Sequence, residues 1–150
     1  DLLRARGAIE PPIPGALAAR NHTEGLARLR ALVAVQEDAV EDVDTLVTAQ
    51  MSFNTLLVEL HDNQTLNLLV RIVNDLVRKY YVLAFTSSSQ PEEQRLRNMR
   101  KSVRAQRKLL DLIEAGKSRE TEDFWREHLE AVARILEATG ISQRVVDIVD

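Results

Sequence analysis

The chain has 150 residues, enough for one domain with a real core, and its 45% hydrophobic and 29% charged residues exclude a disordered polymer. The absence of cysteine excludes disulfides, thiolate catalysis and Cys-ligated zinc, and is compatible with a reducing cytoplasm. A formal net charge of −3 argues against nucleic-acid binding by this chain itself, because phosphate contacts call for a basic surplus.

No apolar run reaches the ~18 residues needed to cross a bilayer, and no signal peptide precedes the first helical pattern. The first residue is Asp1 and not Met, so a fragment of a longer protein is expected. With glycine (5) and proline (4) scarce and Leu, Ala, Arg, Glu and Val abundant, helix is the natural prior.

Leu2 to Asn21 reads as helix broken by Pro11, Pro12 and Pro14. Thr23 is the expected cap of a helix whose apolar positions Leu26, Leu29, Leu32, Val33 and Val40 recur at helical spacing. A helix from about Asp42 to His61 follows, then a turn at 62–65 with Thr65 as the expected cap. The next helix, about Leu66 to Thr86, carries Leu69, Val70, Val73, Leu76, Val77, Tyr80 and Leu83. Ser87 to Gln90 is a loop. Ser89 as cap, Pro91 in the first turn and Glu92 and Glu93 near the positive helix end then mark a strong start. That helix stops at Gly116, a suitable residue just past a helix end. The last long helix opens near Ser118 and closes at Gly140, leaving Ile141 to Asp150 as a tail that forms a short helix or packs on a partner. Arg95, Arg97, Arg100, Lys101, Arg104, Arg107 and Lys108 read as a solvated helix face. With no repeat and no strand–helix alternation, the expected fold is an all-α antiparallel bundle of six to seven helices.

Four polar residues stand where the pattern asks for apolar ones. The helix starting near Asp42 is apolar nearly all round (Leu46, Val47, Met51, Phe53, Leu56, Leu57, Val58, Leu60), and a helix of that kind is normally enclosed. Gln50 and Asn54 nevertheless sit one turn apart on one side of it. Gln106 falls within the stripe Leu96, Met99, Val103, Leu110, Ile113, and His128 on the edge of Trp125, Leu129, Val132, Leu136. An unpartnered buried amide costs roughly 1–3 kcal/mol. Either the four converge on each other, water or a ligand, or each is satisfied where it stands.

The ordered motifs resemble one family. Gln50-Met-Ser-Phe53-Asn54-Thr-Leu-Leu57, followed by Asn63 and Leu66, resembles the pattern Asp-x-x-Phe-His-x-x-Leu, then Gly-Asn-x-x-Leu, of the C-terminal domain of FadR-like GntR regulators. Gln106 to Gly116 resembles that family's His-x-x-Ile-x-x-Ala-Ile-x-x-Gly-Asp segment, Glu127-His128-Leu129 its closing His-Leu, and Glu10-Pro11 with Leu17-Ala18-Ala19 its opening. The resemblance implies a bundle with a central ligand cavity, a homodimer, and a winged-helix DNA-binding domain ahead of the chain. A small metabolite in the cavity would change how operator DNA is held, working in the cytoplasm.

Many members of the family hold a divalent metal with one Asp and three His. The matching positions here are Gln50, Asn54, Gln106 and His128, and neutral amides are poor ligands for zinc or nickel. No metal and no cofactor is therefore expected. The fatty-acid regulator that gives the subfamily its name lacks the metal set and takes acyl-coenzyme A, which makes a lipid or acyl thioester one candidate ligand. Gln50, Asn54, Gln106 and His128 are the expected polar contacts, with Phe53 and Trp125 as candidate walls or ordinary core. Arg71 and Arg78 either reach an acidic ligand or are simply solvated.

Enzymatic function is not expected. There is no Ser-His-Asp set, phosphate loop or paired buried carboxylate, and His22, His61 and His128 stand on separate elements, the first two beside turns. The competing reading is a ligand-free scaffold whose four polar residues pair with one another.

Overall fold

In the computed structural model, which describes residues 2–20, 22–39, 42–87 and 91–138, the prolines set the first boundary. Helix α1 (Leu2–Ile9) stops before Pro11, and α2 (Pro12–Arg20) places Pro12 and Pro14 in its first turn, where their missing N–H groups cost nothing. Then come α3 (Thr23–Asp38), α4 (Val43–Glu59), α5 (Gln64–Ser87), α6 (Glu92–Glu114) and α7 (Ser118–Glu137). Among the described residues the fold is all-α with seven helices, as expected. None of these helices is long and apolar enough to cross a membrane.

Two caps differ from expectation. α3 is capped by His22, whose Nδ1 accepts from the Gly25 N–H at 3.2 Å, and Thr23 is its first helical residue. α5 starts one residue before Thr65, and the Asn63 side chain accepts from the Leu66 N–H at 3.0 Å. In both cases a polar residue lies three positions before the free N–H, the spacing a cap requires. Asp42 caps α4 by accepting from the Thr45 N–H at 3.2 Å and its hydroxyl at 2.6 Å, and these bonds hold its carboxyl below the usual range. Ser89, Gly140, Val40 and the tail 141–150 lie outside the described residues, as do the side chains of Tyr80 and Leu83.

The end of α6 is as expected. Gly116 takes φ +70°, its N–H donates to the Ile113 carbonyl at 3.0 Å, and the Lys117 N–H donates to Leu112 at 3.1 Å. That pair of bonds is a Schellman closure, which needs a residue free of a Cβ penalty. It turns the chain so that the Ser118 hydroxyl, at the start of α7, donates to the Gly15 carbonyl at 2.7 Å. A Cβ on Gly15 would lie 3.2 Å from the Ser118 carbonyl oxygen, so glycine permits the close approach of α2 and α7.

One core joins α2, α3, α4, α6 and α7 through Ile13, Leu29, Phe53, Leu57, Leu110 and Trp125, among others. A smaller cluster, Leu3, Val77, Ala133 and Leu136, ties α1 and α7 to α5. Across the surface Arg30 of α3 reaches Asp111 (3.0 Å) and Glu114 (2.6 Å) of α6, and Arg107 reaches Glu37 at 2.8 Å. Arg97, Arg100, Lys101, Arg104, Arg107 and Lys108 are exposed, so the basic run is a solvated face.

Candidate functional site

The seam between α3, α4 and α5, with Arg6 of α1 at its side, is not filled by side chains. It leaves a groove of about 670 Å³, open to solvent, in the size range of small-molecule sites. Leu32, Val47, Met51, Leu56 and Val77 give it an apolar floor. Arg6, Arg28 and Arg78 bring positive charge to it, and Glu59 and Asp75 negative charge. Asn54 lies in its wall, 8% exposed, and among the described residues its side-chain amide has no hydrogen-bond partner.

Arg6 is held from behind. Its Nε donates to Glu10 Oε2 at 2.6 Å and its Nη2 to Oε1 at 3.3 Å. Both side chains are almost wholly buried, with Glu10 at 0% exposure. The Trp125 indole N–H on α7 donates to the same carboxylate at 2.9 Å, and the Trp125 ring stacks on His128 at 4.8 Å between centroids. A chain of contacts thus runs from the groove through α1 to α7. Burial, with the nearby Arg6 charge adding to it, pushes His128 down to about 4, so the imidazole is neutral at pH 7.

That shift has a measurable sign. Between about pH 6.5 and 4 the unfolded chain takes up a proton that folded His128 refuses, so stability falls as pH drops through this window. The loss amounts to about 3 kcal/mol once both pKa values are passed. Urea melts at pH 7 and pH 4.5 are expected to show a smaller drop for His128→Gln than for the unsubstituted chain. Equal drops would mean that His128 titrates freely.

The five residues singled out by pattern occupy different places. Asn54 lines the groove. Gln106 is buried and its Oε1 accepts from Gln36 Nε2 at 2.7 Å, while Gln36 Nε2 also reaches the Leu32 carbonyl at 3.3 Å. Gln50 is half-buried on α4, one turn before Asn54, and His128 is half-buried against Trp125. Phe53 is fully enclosed in the main core. No hydrogen bond among the described residues joins any two of Gln50, Asn54, Gln106 and His128. Arg78 stands at the groove and Arg71 is exposed away from it.

These positions do not fit a divalent metal. Three of the four donors are neutral amides, one of them already engaged by Gln36, and among the described residues no three His, Asp or Glu side chains converge. The Gln36–Gln106 pair is instead a structural bond between α3 and α6. Gln106→Leu alone strands the Gln36 amide and is expected to cost about 1–3 kcal/mol, whereas Gln36→Leu with Gln106→Leu stays near neutral. Chemical denaturation of the three variants checks this, and additive losses would contradict it.

Three participants were missed by the sequence reading. Gln36 continues the 26–29–33 spacing of α3, so it was as visible as Gln106. Arg6 and Glu10 are four residues apart, the spacing of a helical ion pair, but on a short helix before prolines they read as solvated charges.

A family model described as FCD domain matches residues 1–131. Among solved structures, a chain described as Streptococcus agalactiae GntR is similar, with a TM-score of 0.67 and 23% sequence identity. The match covers 89% of this chain and 57% of that one, so this chain spans little more than half of that protein's length. At this identity the likeness shows the fold. No curated protein matches significantly.

Proposed function

The chain belongs to the FCD domain family, and from that premise we propose that it is the effector-sensing and dimerisation domain of a bacterial GntR-superfamily regulator, FadR-like in type. In this reading a winged-helix domain precedes Asp1 in the full protein and contacts operator DNA, two copies act together in the cytoplasm, and the chain itself catalyses nothing. The observation that carries it is the groove lined by α3, α4, α5 and Arg6 of α1, with an Asn54 amide in its wall that has no hydrogen-bond partner among the described residues.

The groove's chemistry suits a compact metabolite with an apolar body and one anionic group. The body would lie on Leu32, Val47, Met51 and Leu56, the anion near Arg6, Arg28 or Arg78, and the Asn54 amide would donate or accept beside it. The apolar floor also favours a second candidate, a fatty acid or acyl-coenzyme A. The polyphosphate of coenzyme A, however, would face Glu59 and Asp75 on the same rim. A ligand touching Arg6 pulls on α1, and through Glu10 and Trp125 on α7, so occupancy can alter how the preceding domain is held. A ligand-free scaffold has one observation in its favour, the internal pairing of Gln106 with Gln36.

The test uses the full-length protein and its own promoter DNA in a fluorescence-anisotropy titration, with short organic acids, aromatic acids, fatty acids and acyl-coenzyme A as separate arms. At least one arm should change DNA affinity by about fivefold or more, the usual scale of allosteric coupling. DNA affinity indifferent to every arm would favour the scaffold.

A further inference from the structure

Helix α5 is apolar on two opposite sides. Val70 and Val77 are buried against the bundle, while Leu68, Leu69, Ile72 and Leu76 are 60%, 50%, 50% and 46% exposed. At 100° per residue the exposed four form one stripe centred near Ile72, on the far side from Val70 and Val77. Single exposed leucines are ordinary, but a contiguous stripe of four large aliphatic residues on one helix marks an interaction surface.

We propose that this outer face of α5 joins two copies of the chain in an antiparallel pair about a twofold axis near Ile72. The flanking charges choose the partner. Arg71 and Asp75 lie on the same flank of the stripe, both exposed and neither in an ion pair among the described residues. An antiparallel twofold sets Arg71 of one copy beside Asp75 of the other, twice over, and lays Leu68 against the Leu76 end of its mate. A parallel twofold would carry the Arg71–Asp75 flanks of the two copies to opposite sides of the seam, out of each other's reach. The surface is thus complementary to itself in one orientation, as an isologous interface requires. The 24 residues of α5 span about 36 Å at 1.5 Å per residue, room for the ~800 Å² per partner of a stable interface.

The proposal names the surface for the homodimer invoked above but does not depend on the ligand reading. Sedimentation equilibrium of the 150-residue chain should give twice the 17.0 kDa chain mass. Ile72→Glu should give a monomer with unchanged helix content by circular dichroism. Arg71→Asp and Asp75→Arg should each weaken the dimer at least fivefold, and the two together should restore it to within about twofold. A monomeric unsubstituted chain would overturn the proposal, as when residues beyond Ala138 or another domain cover the stripe. So would a dimer that survives Ile72→Glu, or charge reversals that fail to compensate. A monomer that still binds ligand in the groove would sink the interface alone.

Discussion

Glu10→Gln is expected to destabilise the fold by about 3–5 kcal/mol, the cost of leaving one partner of a buried ion pair without its counter-charge. Glu10 has no exposed surface, and its two oxygens take bonds from Arg6 at 2.6 and 3.3 Å and from Trp125 at 2.9 Å. Glutamine keeps the volume and one acceptor but removes the charge and presents an N–H₂ toward Arg6 or the indole. Exposed pairs such as Lys117–Glu120 make the contrast, since they contribute about 0–1 kcal/mol. Urea denaturation of Glu10→Gln and Glu120→Gln compares the two directly. Similar small losses for both would show that the Arg6–Glu10 pair is dispensable.

Trp125→Ala is the second large effect, at about 3–5 kcal/mol for a buried aromatic replaced by a methyl group. Trp125 is among the largest fully buried side chains and joins the main core to the Glu10 carboxylate and the His128 ring. Trp125→Phe separates the contributions, because it retains most of the packing and loses the indole N–H. Its expected cost is about 1–3 kcal/mol, the penalty of one missing bond to a buried acceptor. In a double-mutant cycle Trp125→Phe and Glu10→Gln should be non-additive, since both act on one network. Additive losses would mean that α1 and α7 are coupled by packing alone.

The helices were legible in the sequence because their boundaries rest on strong local chemistry. Three prolines in four residues divide α1 from α2, and Gly116 closes α6 at the only described glycine with positive φ. The two misplaced caps have a local cause, since Thr23 and Thr65 are good capping residues one or two positions from His22 and Asn63, which hold the free N–H groups. The inward polar residues were legible one by one, but their partners were not. Gln106 was visible as a break in an apolar stripe, yet nothing in the α6 sequence names Gln36, 70 residues earlier, as the group it meets. Arg6 and Glu10 were invisible for the opposite reason: a charged pair at helical spacing reads as surface, and only packing of α1 against α5 and α7 buries it. The groove itself is a property of how α3, α4 and α5 meet beside Arg6, which no single segment encodes.

The proposed groove and the proposed dimer surface share one helix, α5. Val77, Asp75 and Arg78 border the groove, and Asp75 also flanks the outer apolar stripe. A ligand drawn to Arg78 and repelled by Asp75 therefore acts on residues next to the proposed dimer surface, as well as on α1.

The central claim is that the α1–α3–α4–α5 groove binds a small anionic effector through Asn54 and its arginines, and thermal melting of the 150-residue chain tests it most directly. A saturating effector, at a hundred times its Kd, stabilises the folded state by about 2.7 kcal/mol, a rise of roughly 5–10 °C for a domain of this size. The account predicts such a rise with at least one compact acid. It further predicts that Asn54→Leu, which replaces a buried amide lacking a described partner, melts no lower than the unsubstituted chain without ligand yet loses the rise, and that Arg78→Ala reduces it. A chain whose melting is indifferent to every acid, or a rise that survives Asn54→Leu and Arg78→Ala together, would contradict it.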